Sequence, residues 1–146
     1  MRAAVVCVFA AACTSSPKPA AVSDADPCAF CRMAVSDAHL AAQIVAPGEE
    51  PRIYDDIGCL VNGLKREPPA PDSVAYVADH RTGDWVRASA AVYTRVSGLS
   101  TPMGSHLVAH SSLASRNADD VAKDGQPVSG AELFGATGAP GGRDVR

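Results

Sequence analysis

Between residues 28 and 134 the apolar residues come in short runs cut by proline, glycine and aspartate, which rules out long helices and long strands. The pattern predicts short strands alternating with two helices. Residues 41–45 and 52–54 read as a hairpin across the turn-forming pair Pro47-Gly48. Asp55-Asp56 supplies an N-cap for a helix with Ile57, Leu60, Val61 and Leu64 on one face, and Pro68-Pro69 ends it. Residues 74–77, 85–86, 92–96 and 107–109 read as further strands, with 79–83 as a turn. Ser111 or Ser112 caps a second helix carrying Leu113, Asn117 and Val121 along one side and ending at Gly125. Each half thus gives strands, a helix and an extended segment, the pattern of a duplicated α+β unit in one small domain.

The ends read differently. Residues 1–13 form a charged start and an apolar run ending in Ala10-Ala11-Ala12-Cys13, too short to span a bilayer. This is the form of a secretory leader, and a cysteine at the cleavage point predicts a lipoprotein acylated on Cys13. The expected location is therefore the cell envelope, outside the cytoplasm and lipid-anchored to a membrane. Residues 14–27 are rich in proline, alanine and serine and read as a flexible tether, and the glycine-rich residues 135–146 as a disordered tail. The net charge is −3 and aromatic residues make up 5% of the chain. Such a chain provides neither phosphate neutralisation nor base stacking, so nucleic acid is not an expected partner.

The chemistry concentrates on sulfur. Cys28, Cys31 and Met33 share the six-residue stretch CAFCRM, Cys59 lies in DDIGC, and Met103 lies in the loop TPMG. None falls within an expected strand or on the expected apolar stripe of a helix, whereas methionine used as core filler replaces leucine inside periodic elements. Thiolate and thioether are polarizable donors that favour Cu(I), while oxygen ligands suit magnesium or calcium. A Cys-x-x-Cys-x-Met turn gathers its sulfurs at little loop-closure cost. At a helix N-terminus, Cys59 is expected to have a lowered thiol pKa.

Cys-x-x-Cys spacing has other readings: a resting disulfide, a redox pair, or half a zinc knuckle completed by the third cysteine and a histidine. His106, three residues after Met103, is a candidate imidazole donor, and His110 falls on the same strand face. His39 and His80 lie in polar turns and read as solvated, and Trp85 and Tyr93 as core.

Taken in order, CAFCRM, SDAHLAAQIV, YDDIGCL, VADHRTGDW and TPMGSHLVAH resemble the NosL family of copper chaperones, over residues 28–134. The resemblance implies a pair of similar ββαβ units, comparable to organomercurial lyase. It also implies a lipoprotein that binds one Cu(I) and supplies it to nitrous oxide reductase maturation. The family's Cys-x-x-Cys-x-Met falls on Cys28, Cys31 and Met33, and its Pro-Met-Gly methionine on Met103. Family members commonly carry glycine where His106 stands and an aromatic residue where His110 stands.

The leading expectation is a Cu(I) chaperone and not an enzyme, with Cys28, Cys31, Met33 and Met103 as ligands and Cys59 and His106 as auxiliaries. Its expected partner is a copper-accepting protein, either nitrous oxide reductase with its maturation complex or another cuproenzyme. The competing expectations are a thiol–disulfide oxidoreductase or lyase acting through Cys28, Cys31 or Cys59, and a lipid-tethered structural zinc domain.

Overall fold

Pro47 and Gly48 reverse the chain between two short apolar runs, with Gly48 at φ +75°, a conformation that favours glycine. The runs pair antiparallel as β1 (Ala42–Val45) and β2 (Arg52–Tyr54). Asp56 then accepts the Cys59 N–H at 2.8 Å and opens α1 (Ile57–Arg66). Lys65 and Arg66 in the last turn complement the helix dipole, and the prolines beyond it cannot continue the helix. β3 (Val74–Ala78) returns antiparallel on the free side of β1, and β4 (Trp85–Arg87) pairs with β3. The sheet order is β2-β1-β3-β4.

The second half repeats the first three-strand arrangement. β5 (Val92–Arg95) pairs antiparallel with β6 (Leu107–His110), α2 (Leu113–Asn117) follows, and β7 (Gln126–Val128) returns to the other side of β5. The order β6-β5-β7 matches β2-β1-β3, so two ββαβ units are present, each with its first strand in the middle. The computed structural model describes residues 16–141 of this α+β domain. The expected leader, its lipidation site Cys13 and residues 142–146 lie outside the described residues.

One core joins the halves. Ile44, Tyr54, Ile57, Leu60 and Val77 pack in the same cluster as Tyr93, Leu107 and Leu133. Each such side chain contributes roughly 1.5–3 kcal/mol on full burial. The two sheets meet at a parallel bridge between Asp79 and Ala109, where the His80 N–H donates to the Ala109 carbonyl at 2.9 Å.

Three expectations differ from the structure. The second helix stops at Asn117, leaving Leu113 and Val121 exposed. The Asp119 carboxylate takes the Val121 N–H at 2.9 Å, a side-chain bond that competes with helix continuation. A third helix, α3 (Gly130–Phe134), was not expected, although Ser129 caps it by accepting the Glu132 N–H at 3.1 Å. Finally, the described parts of the expected tether and tail lie against the first sheet. The buried amide of Gln43 exchanges hydrogen bonds with the Ala20 backbone at 2.8 and 3.1 Å, and the Tyr76 hydroxyl donates to the Pro17 carbonyl at 2.6 Å. Pro140 accepts the Ala75 N–H at 2.6 Å. A buried amide such as that of Gln43 requires these partners.

Candidate metal centre

The CAFCRM segment is a closed loop. The Cys28 N–H donates to the Met33 carbonyl at 2.7 Å, and the Arg32 N–H to the Cys28 carbonyl at 3.0 Å, with Arg32 at φ +68°. Two contacts hold the loop to the first unit: the Ala29 N–H donates to Ile53 of β2 at 2.7 Å, and Arg66 of α1 donates to the Ala29 carbonyl at 3.0 Å. The Arg66 guanidinium also stacks 4.7 Å from the Phe30 ring centroid. Cys59 enters from the first turn of α1. The result is a cluster in which the sulfurs of Cys28, Cys31 and Cys59 all lie within 4.8 Å of one another. Cys28 and Cys59 are buried, Cys31 is half-buried, and all three are free thiols.

These thiols are electrostatically unequal. Burial alone would raise Cys28, but the backbone N–H groups of Cys31, Asp55 and Phe30 point at its sulfur and hold it below the usual thiol range. Burial raises Cys31, and the neighbouring Cys28 sulfur adds to the rise, against an opposing hydrogen bond from the Met33 N–H. Cys59 corrects the expectation of a lowered thiol. It lies on the buried face of α1 with Ile57 and Leu60, and desolvation pushes it far up, reinforced by the Cys28 sulfur and the Asp56 carboxylate. The amide dipoles of one helix turn do not outweigh full burial beside the Cys28 sulfur and the Asp56 side chain. Of the three, Cys28 is therefore the first thiol to ionise, and Cys31 and Cys59 hold their protons to higher pH. A monovalent cation would release their protons.

Met33 and Met103 are both on the surface, each 47% exposed. Met33 closes the cysteine loop through its backbone. Met103 is tied to the same neighbourhood by Asp56: one carboxylate oxygen accepts the Cys59 N–H, and the other accepts the Met103 N–H at 3.1 Å. Gly58 makes this approach possible, because a Cβ there would stand 2.7 Å from the Ser105 Cβ. The TPMG loop thus packs on the first turn of α1.

His106 is not part of the three-sulfur cluster. Its Nδ1 donates to the Leu99 carbonyl at 2.6 Å, and its backbone takes φ +57°, the conformation that a glycine would adopt freely. Asp55 does not cap α1. One of its carboxylate oxygens accepts from Ser36 at 2.9 Å, and its backbone N–H faces Cys28. His80 is not solvated as expected: its Nδ1 lies 2.6 Å from Asp119, which also meets His110 Nε2 at 2.9 Å. Asp119 carried no recognisable sequence signal. Burial would raise its carboxyl, but hydrogen bonds from the two imidazoles lower it to about 2.

The NosL family model matches residues 19–133. The chain belongs to the NosL family. This is a family of copper-related accessory proteins and not a known enzyme family. In this NosL domain the three cysteines are a group that can hold a metal, and three sulfur donors fit a soft ion. The match begins nine residues before Cys28, in agreement with the contacts made by Ala20. No curated protein matches the chain. Among the described residues no helix is long and apolar enough to cross a membrane.

Proposed function

We propose that this NosL-family protein is a Cu(I) metallochaperone, anchored by lipid on Cys13 outside the cytoplasm, that passes copper to a cuproenzyme, with nitrous oxide reductase as the first candidate. The observation that carries the reading is the Cys28–Cys31–Cys59 sulfur cluster, two of its sulfurs buried, with solvent-exposed methionines on the two loops packed around it. Copper is the cargo. Cys28 is the first donor, since its thiol gives up a proton more readily than the other two, and Cys31, the least buried of the three, is the exit donor. Met33 and Met103 need lose no proton to bind and are exposed to a docking acceptor, which suits ligand exchange. The cluster contains no histidine or carboxylate, so the fourth ligand that a structural zinc site needs is not among the grouped side chains.

The test is an anaerobic Cu(I) titration of the reduced chain lacking residues 1–13, in competition with a chromogenic chelator. One equivalent bound more tightly than by the chelator, and weakened by Met103→Leu, supports the carrier reading. Binding weaker than the chelator, together with indifference to Met103, sinks it. Transfer is tested separately by mixing the loaded protein with copper-free nitrous oxide reductase and following the copper.

A further inference from the structure

A second group of metal-ligating side chains shares no residue with the sulfur cluster. His80 follows β3, His110 ends β6, and Asp119 follows α2, so the group forms only where the two units meet. One carboxylate oxygen of Asp119 lies 2.6 Å from His80 Nδ1 and 2.9 Å from His110 Nε2. The three ligand atoms lie within 4.8 Å of one another. The imidazole rings are close to perpendicular, with planes at 72° and centroids 6.2 Å apart.

The fold holds all three in place. The His80 backbone donates to Ala109, the other oxygen of Asp119 accepts the Val121 N–H, and His110, the last residue of β6, is paired with Val92 of β5. His110 is fully buried, yet its Nδ1 has no hydrogen-bond partner among the described residues. The fold therefore uses this imidazole for its Nε2 alone. An apolar ring would fill the same space without the cost of about 1–3 kcal/mol for an unpaired buried nitrogen. His80, with 15% of its side chain exposed, is the edge at which solvent reaches the group.

We propose that His80, His110 and Asp119 form a second metal site, which takes a divalent cation of the zinc class rather than Cu(I). Two neutral imidazoles and a carboxylate are borderline-to-hard donors that suit Zn(II), whereas the soft cluster of the first unit does not discriminate in its favour. On binding, the cation replaces the two N–H protons that now point at Asp119. Each ring stays neutral by moving that proton to its other nitrogen, from Nε2 to Nδ1 in His110 and from Nδ1 to Nε2 in His80. Tetrahedral zinc separates its nitrogen and oxygen ligands by about 3.3 Å, so the present contacts open by less than ~1 Å. Water at the His80 edge completes the shell.

The test is equilibrium dialysis of the reduced chain against Zn(II), in wild type and in His80→Gln, the change at the most accessible ligand. Wild type is expected to hold one equivalent that binds about 100-fold more weakly in the variant. X-ray absorption at the zinc edge separates this equivalent from zinc on cysteine. Nitrogen and oxygen neighbours at about 2.0–2.1 Å support the site. An all-sulfur shell, no bound zinc, or equal binding by wild type and His80→Gln overturns it and leaves a hydrogen-bonded triad without metal. If circular dichroism shows His80→Gln to be misfolded, the absorption experiment on wild type decides alone.

Discussion

The two ββαβ units place the same helix position to different use. In each, the residue three after the cap donates its N–H back to the cap side chain: Cys59 to Asp56 at 2.8 Å, and Ser115 to Ser112 at 3.1 Å. Cys59 then turns its sulfur toward Cys28 and Cys31, while the Ser115 hydroxyl donates to Asp79 at 2.9 Å. The first unit buries its helix face under the core and gathers soft donors. The second has a five-residue helix with an exposed Leu113 and gathers carboxylate, hydroxyl and imidazole. A shared backbone therefore sets where the first-turn side chain points, and the residue type sets which chemistry collects there.

The largest effect is expected at the carboxylate of the second network. Asp79 accepts from the N–H groups of Arg81, Thr82 and Ser111 and from the hydroxyls of Ser111 and Ser115. Burial opposes its ionisation, but these donors hold it well below the usual carboxylate range. Because the folded-state pKa is depressed, its contribution is fully present above the unfolded value of about 4 and is lost as pH falls further. Asp79→Ala is expected to cost ~3 kcal/mol or more in urea unfolding at pH 7, since it strands several buried donors. Cu(I) affinity should change less than about twofold, as expected for independent, distant groups. A parallel loss of copper affinity would break the division between the halves.

Next comes Cys28→Ser, expected to weaken Cu(I) about 100-fold, or ~2.7 kcal/mol, in chelator competition. In wild type the same measurement should show affinity rising with pH through neutrality, about tenfold per pH unit for each proton displaced. The sign follows from Cys31 and Cys59, whose raised thiols must lose protons to bind. A flat profile would mean that neither Cys31 nor Cys59 loses a proton to the metal.

Asp56→Ala sharpens the comparison of caps. It should cost about 1 kcal/mol of stability, as loss of a helix cap does. Ser112→Ala should cost a similar amount, but only Asp56→Ala should also weaken Cu(I), because Asp56 alone ties a cap to the Met103 backbone. Equal copper affinity in the two variants would separate Met103 from the centre. The smallest effect on stability is at Met103 itself. Met103→Leu should leave thermal stability within ~0.5 kcal/mol, since the side chain is half exposed, and weaken Cu(I) about tenfold.

Local signals in the sequence located most of the first unit. Pro47-Gly48, Asp56 and Pro68-Pro69 act within a few residues of themselves, so the hairpin and both ends of α1 were legible. In the second unit the periodic run through Val121 promised a longer helix, but Asp119 is drawn to two histidines that are distant in sequence or in another element. The sulfur cluster was legible in part. CAFCRM gathers Cys28 and Cys31 by short-range closure, whereas the burial of Cys59, and with it the direction of its pKa, depends on the packing of α1 on the sheet.

The sequence alone determined the family, the sulfur-rich motifs and the order of the elements, because turn residues, caps and apolar runs act locally and the motifs stand intact. The tertiary structure decided which thiol ionises first, that Asp56 links Cys59 to the Met103 loop, and that His80, His110 and Asp119 meet. Each of those depends on desolvation or on contacts across many residues, and neither is encoded in any short stretch of the chain.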